Sequence, residues 1–275
     1  MKWSAPAATY ENLQAGDVAL LGLCCDYNAS YASGPAEAPG KIREAFFQGS
    51  QNKFSELAVD FRTASHFKDL GDIDVSNDHQ YLAISNLVRQ VLEKGARPMI
   101  LGGDHSITYP VIKAMAEKWP GLNIMHFDAH PDLYPEFNGS RYSNACPFAR
   151  IMEEGLVNRL VQVGIRTASP MLRAQARLYG VEMYEMKDGN LPDLHFNGPL
   201  YISLDMDVLD PAFAPGVSHR EPGGFSVREV IEIIHSLQGL IVGADIVEFN
   251  PRRDIEEMTA YVAVKLLKEI AGRML

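Results

Sequence analysis

Asn123-Ile124-Met125-His126-Phe127 runs without a break into Asp128-Ala129-His130-Pro131-Asp132. The first five residues form a short apolar run ended by turn-forming residues, the pattern of a strand buried on both faces. The next five place two carboxylates and an imidazole at alternate positions. On an extended strand end, alternate side chains point the same way, so Asp128, His130 and Asp132 are expected to share one face.

The same transition recurs three times. Met99-Ile100-Leu101 leads into Gly102-Gly103-Asp104-His105-Ser106, and Tyr201-Ile202-Ser203-Leu204 leads into Asp205-Met206-Asp207. The run 240–244 leads into Asp245-Ile246-Val247-Glu248-Phe249-Asn250-Pro251. Apolar runs at 18–24, 98–101, 123–127, 160–163, 181–184, 200–204 and 240–246 read as strands. Patterns at 80–93, 109–118, 145–154, 170–178, 227–237 and 256–272 read as helices. In the first of these, Leu87, Val88, Val91 and Leu92 recur at helical spacing and Gly95 supplies a stop. Ser226 with Glu229 three residues on is a capping-box signature. Strands alternating with helices specify an α/β fold, here a single-domain three-layer α/β/α arrangement over residues 1–275 with a mostly parallel central sheet. Ligands of such sheets bind in the crevice beyond the carboxyl ends of the strands. All four polar clusters fall there.

With 275 residues, 47% of them hydrophobic and 22% charged, the chain has the composition of a globular protein with room for one large domain. Lys plus Arg number 25 against 35 Asp plus Glu, a formal charge of −10. That balance repels phosphate backbones and anionic lipid, so neither a nucleic-acid nor a membrane partner is expected, and a small cation suits it better. No stretch approaches the roughly 20 apolar residues of a membrane span. Residues 1–17 lack the apolar core of a secretory signal. The cysteines, Cys24, Cys25 and Cys146, are odd in number and two are adjacent, which argues against a disulfide framework and for a reducing, cytoplasmic setting.

A lone Asp at a strand end usually caps a helix or shapes a turn. Lone histidines such as His66, His79, His195 and His235 read as surface or satisfied core residues. The Asp128/His130/Asp132 and Asp205/Asp207 sets differ, because alternating carboxylates at two strand ends are expected to gain nothing from capping. Carboxylates that close repel one another unless a cation lies between them. Together with His105 these make six candidate ligands, four of them carboxylates. That is too many for one tetrahedral Zn²⁺. Two hard divalent cations fit, and the oxygen-rich mix favours Mn²⁺.

These segments make the chain resemble the ureohydrolase family, the arginases, agmatinases and related guanidino-group hydrolases. The resemblance covers essentially the whole chain from Gly22 onward. Residues 102–106, 127–132 and 203–211 match the family's three signature segments, and 143–155, 214–224 and 247–254 are similar to plant-type arginases. The resemblance implies two Mn²⁺ per chain, one held by His105 and Asp132 and the other by His130 and Asp207. Asp128 and Asp205 would bridge them, with a hydroxide between. It implies that Asp132 hydrogen-bonds that hydroxide and passes its proton to the departing amine. Glu248 would grip the guanidinium, and His219 would line the substrate pocket. A homo-oligomer of trimers or paired trimers is also implied. The implied reaction cleaves a guanidino group to urea and an amine. L-arginine to L-ornithine is the first choice, agmatine to putrescine the runner-up, and other guanidino compounds follow.

The chemistry agrees with that implication. A guanidinium carbon is a poor electrophile, and metal coordination lowers the pKa of water from about 15.7 towards about 7. A carboxylate such as Glu248 can pair with the planar guanidinium fork, and the amine leaves only if an acid protonates it. Without the other clusters, Glu248 would read as a strand-end acid paired with Arg252 or Arg253.

One position departs from the pattern. The family usually carries His where this chain has Asn144, and the implied role of that His is to shuttle protons and help position substrate. Asn hydrogen-bonds but does not titrate near neutrality. Asn144 is therefore kept as a catalytic and substrate-binding position, with an intact metal site and slower turnover, another proton route or an altered substrate expected. Tyr134, Asn138 and Arg141 are candidates for meeting a substrate α-carboxylate. Cys146 and the Cys24-Cys25 pair read as buried packing, and Met115, Trp119, Phe148 and Met152 as core. No nucleotide-binding fingerprint occurs. Two other classes compete. A one-zinc α/β deacetylase is disfavoured by the surplus ligands His105, Asp132 and Asp207. A metal-binding but catalytically weak interaction protein is encouraged only by Asn144.

Overall fold

Alternate residues of the short apolar runs go to opposite sides of a sheet. Met99, Leu101, Met125 and Phe127 belong to one buried cluster, while Ile100 and Ile124, between them in sequence, belong to the other. The computed structural model describes residues 8–75 and 80–275. His79 and the first seven residues of the stretch read above as no signal sequence lie outside them.

The strands are β1 Val18–Cys24, β2 Phe67–Asp74, β3 Arg97–Leu101, β4 Asn123–Phe127, β5 Arg159–Ile165, β6 Glu182–Glu185, β7 His195–Asp205 and β8 Gln238–Val247. The helices are α1 Ala38–Phe47, α2 Gln80–Glu93, α3 Thr108–Lys118, α4 Pro147–Glu153, α5 Pro170–Tyr179, α6 Val227–Ser236 and α7 Met258–Met274. One sheet contains all eight strands, in the order β2-β1-β3-β8-β7-β4-β5-β6. Every neighbouring pair is parallel. Helices α1, α6 and α7 bury Ile42, Ile234 and Val264 with one face of the sheet. Helices α2 to α5 bury Val88, Ile112, Phe148 and Leu172 with the other. The expected three-layer architecture is present, and no helix among the described residues is long and apolar enough to cross a membrane.

Two elements escape the periodicity. Strand β2 reads Phe-Lys-Asp-Leu-Gly-Asp-Ile-Asp, half charged, because it is an edge strand paired only with β1 and largely half-exposed. Helix α1 opens with Pro39 and Gly40, which look like breakers. Pro in a first turn has no helical hydrogen bond to lose, and here it starts the helix.

The register brings the clusters together. Leu101 pairs with Ile246, Ile246 with Leu204, and Leu204 with Phe127, so the four central strands β3, β8, β7 and β4 end in one row. The polar clusters follow that row. Gly103 permits it: a Cβ there would meet the Cys25 carbonyl oxygen at 1.6 Å, and the next amide, Asp104 N, donates to that same oxygen at 2.8 Å.

Candidate metal centre and the cavity beside it

The six expected ligands converge at the carboxyl edge. His105 Nδ1 lies 3.2 Å from Asp128 Oδ2, 3.1 Å from Asp132 Oδ2 and 3.3 Å from Asp205 Oδ2. His130 Nδ1 lies 3.3 Å from Asp128 Oδ1 and 3.0 Å from Asp207 Oδ2. The two oxygens of Asp128 therefore face different imidazoles. All four carboxylates and His105 are buried, and His130 is partly so.

They converge by a route other than the one expected. Residues 128–132 are a bend and loop rather than a continued strand, and Asp132 sits in the left-handed region at φ 49°. The alternating carboxylates also do cap. Asp205 Oδ1 accepts from Asp207 N at 2.8 Å at the start of a short 3-10 turn, and Asp128 Oδ1 accepts from His130 N at 2.6 Å. Each turn leaves the second oxygen of its Asp for the cluster. Capping and ligation are thus compatible at one carboxylate, contrary to the expectation.

The donor set fits divalent cations. The Ser203 hydroxyl gives its proton to Asp245 Oδ1 at 2.8 Å, so at 3.0 Å from His105 Nε2 it accepts that ring's N–H. This arrangement turns the buried His105 Nδ1 towards three carboxylate oxygens, where it offers a lone pair once a cation displaces its proton. Such second partners fix the orientation and tautomer of metal-binding imidazoles. In the bare chain the strain shows in the proton affinities. Burial opposes the charge on His105, yet Asp128, Asp132 and Asp205 hold its pKa well above the usual range. Burial and Asp128 push Asp132 up to about 6. Burial, Asp207 and Asp128 push Asp205 well above the carboxylate range. Burial would raise Asp128 too, but the imidazoles of His105, His126 and His130 around it hold it well below. Two imidazolium charges cannot balance four carboxylates, whereas two divalent cations would, with both imidazoles neutral.

A cavity of about 250 Å³ opens beside the cluster, lined by His130, Asp132, Tyr134, Asn144, His219 and Glu248 among others. Glu248 is buried at φ 62°, a strained left-handed conformation for this residue type. Its Oε1 accepts from His105 N and from Asn144 Nδ2, each at 2.9 Å. It pairs with neither Arg252, which binds Glu37, nor Arg253, which stands over Tyr31. Burial and the nearby Asp104 raise its pKa to about 8. Asn144 is itself pinned, its Oδ1 accepting from Ser30 N at 3.0 Å and Ser143 Oγ at 3.2 Å. The His219 ring stands 5.6 Å from that of His130 and 5.3 Å from Tyr31.

Other expected residues fall elsewhere. Arg141 is not at the cavity; it pairs with Glu153 at 2.7 Å. Asn138 lines a smaller neighbouring hollow with Ser30 and Phe137. Phe148, expected as plain core, walls the cluster with its ring 3.9 Å from that of His126. His66, His195 and His235 are satisfied away from the site by Asp17, Asn197 and Glu269. None of the three cysteines forms a disulfide. A larger cavity of about 440 Å³ lies among β5, β6 and α6 and contains none of the cluster. Sequence reasoning assigned nothing to Ser203, Asp245, His126 or Gln162. Only the strand register reveals that they lie beside the ligands.

Several known proteins are similar to this chain. The family model described as Arginase family matches residues 16–272. "Arginase 1, mitochondrial" of Arabidopsis thaliana is 47% identical over 93% of this chain and 80% of its own length. "Agmatinase" of Bacillus subtilis is 35% identical over 92% and 90%. Among solved structures, the arginase from Medicago truncatula superposes with a TM-score of 0.90 at 43% identity, covering 96% of this chain and 88% of that one.

Proposed function

This chain belongs to the arginase family, whose model matches nearly all of it, and from that membership and the cluster's geometry we propose that it hydrolyses L-arginine to L-ornithine and urea with two Mn²⁺ ions. The observation that carries the metal reading is Asp128, whose two oxygens face His105 and His130 separately. His105 and Asp132 would hold one ion, His130 and Asp207 the other, with Asp128 and Asp205 shared. Four carboxylates and two imidazoles make a hard donor set suited to Mn²⁺. Bound cations supply acidity to water, so that a strong nucleophile exists at neutral pH.

The chain's own groups do the rest. Glu248, fixed by its two hydrogen bonds, would pair with the guanidinium fork and hold its plane against the cluster. Asn144 holds Glu248 and cannot carry a proton. Asp132 lines the cavity beside His130 and would deliver the proton that lets the amine leave. His219 lines the same cavity, its ring 5.6 Å from that of His130.

One observation favours agmatine as the second reading: among the described residues no Lys or Arg lines the cavity, while Glu221 does. A substrate carrying a carboxylate would have to be met there by neutral donors. Values of kcat/KM for arginine, agmatine and 4-guanidinobutyrate, measured side by side with Mn²⁺, decide between them. Arginine is expected to lead. Agmatine ahead of arginine would overturn the substrate assignment, and no urea from any of them would overturn the activity.

A reducing compartment is our reading of the three thiols, with the cytoplasm as first choice, although several relatives carry "mitochondrial" in their names. We also carry forward assembly as trimers or paired trimers, which sedimentation would check.

A further inference from the structure

Strands β4 and β5 pair with His126 directly opposite Gln162, and both residues are completely buried. Gln162 Nε2 stands 2.7 Å from the Pro131 carbonyl oxygen and 3.0 Å from His126 Nδ1. A carbonyl oxygen only accepts, so the nitrogen of the amide faces Pro131. That leaves Gln162 Oε1 buried without a partner, so the amide's orientation serves its neighbours rather than itself. An amide nitrogen only donates, so His126 Nδ1 is an acceptor and carries no proton. The ring proton is thereby placed on Nε2, which lies 2.9 Å from Asp128 Oδ2.

We propose that His126, its tautomer set by Gln162, is a positioning residue that donates to the shared Asp128 carboxylate and sets the affinity of the cation on the His105 side. His126, His105 and Asp128 do offer atoms close enough to share an ion. Ligation through His126 Nε2 would require displacing the proton that Gln162 assigns there, or turning the Gln162 oxygen against the Pro131 carbonyl. His126 is therefore a partner of a ligand. Its hydrogen bond occupies one lone pair of Asp128 Oδ2, the oxygen that faces His105, and leaves Oδ1 to the His130 side. The same glutamine holds the backbone between His130 and Asp132 through Pro131. One buried amide thus aligns a bridging ligand and the loop that carries two others.

The inference rests on the two-cation reading, and its test separates the two. Metal-stripped protein is titrated with Mn²⁺ by calorimetry, comparing the natural chain with His126→Phe, Gln162→Met and His126→Gln. The natural chain is expected to bind two ions. His126→Phe is expected to weaken one of them by about ten- to a hundredfold with the other unchanged, and Gln162→Met, which also releases the Pro131 carbonyl between His130 and Asp132, to weaken that same ion more than the other. In Mn²⁺-soaked crystals of either variant the occupancy should fall on the His105 side. His126→Gln, which can still donate to Asp128, should recover most of the loss. Fewer than two ions on the natural chain overturns the two-cation reading itself. Two ions there, with both loss variants at natural affinity or with both ions weakened alike, overturns the positioning role alone. If His126→Phe does not fold, Gln162→Met carries the comparison, its fold checked by circular dichroism.

Discussion

Asn144 shows how much one side chain decides. Its amide donates to Glu248 and its oxygen is held by Ser30 and Ser143, so the group is fixed at both ends. Replacing it by Ala removes one of two donors to a buried carboxylate, and a hydrogen bond to a charged group contributes about 1.5–3 kcal/mol. Asn144→Ala is therefore expected to lower kcat/KM about tenfold or more, chiefly through KM, and to lower the folding midpoint by a few degrees. An unaltered KM would show that Asn144 does not hold Glu248. Asn144→His tests the missing proton route. An imidazole can still donate to Glu248 and also exchange a proton near neutrality, so kcat is expected to rise. No rise at any pH would remove proton transfer as the cost of having Asn here. At this scale sequence told the residue types and their roles in outline. It could not tell that Asn144 has both ends committed, because Ser30 and Glu248 lie 114 and 104 positions away.

The elements were legible where their burial is simple. Strands packed on both faces and helices with one apolar stripe announce themselves, and the Ser226–Glu229 capping box forms as its spacing requires. Edge strand β2 and Pro-initiated α1 did not, since one is polar on purpose at a sheet edge and the other begins with residues that break helices elsewhere. Nor could the sequence show how α7 is tied to its neighbours. Glu269 of α7 is buried and accepts from Lys265 at 2.6 Å, His235 of α6 at 2.8 Å and the Glu56 amide at 3.0 Å. Burial would raise its pKa, but Lys265, the Glu56 amide and His235 hold it below the usual range. A lowered carboxylate stabilises the fold above its unfolded pKa of about 4.3, and that contribution disappears as pH falls through the folded value. Glu269→Gln is expected to cost up to about 1.5–3 kcal/mol near pH 7, the contribution of a hydrogen bond to a charged group. In urea unfolding the gap between variant and natural chain should close below about pH 4. A gap that persists unchanged to pH 3 would contradict this account of the α6–α7 tie.

Across the whole molecule, three separate strand ends, those of β3, β7 and β4, deliver six candidate ligands to one edge, and β8 between them adds Glu248, because the four strands are neighbours ending in one row. Each ligand was readable locally, since the motif travels with its strand. The supports were not: Ser203 meets Asp245 and His126 meets Gln162 only through strand register. The −10 formal charge is consistent with a cationic substrate. Ions that bind only the folded state stabilise it by mass action, by about 2.7 kcal/mol per site at a hundred times Kd. Chelation is expected to lower Tm by at least about 5 °C, reversibly on returning Mn²⁺. An unchanged Tm would mean the carboxylates need no cation. The most direct measurement is an anomalous difference map at the manganese edge from Mn²⁺-soaked crystals. It should show two peaks, one on each side of the Asp128 carboxylate, towards His105 and towards His130. A single peak, or density away from Asp128, would contradict the paired centre.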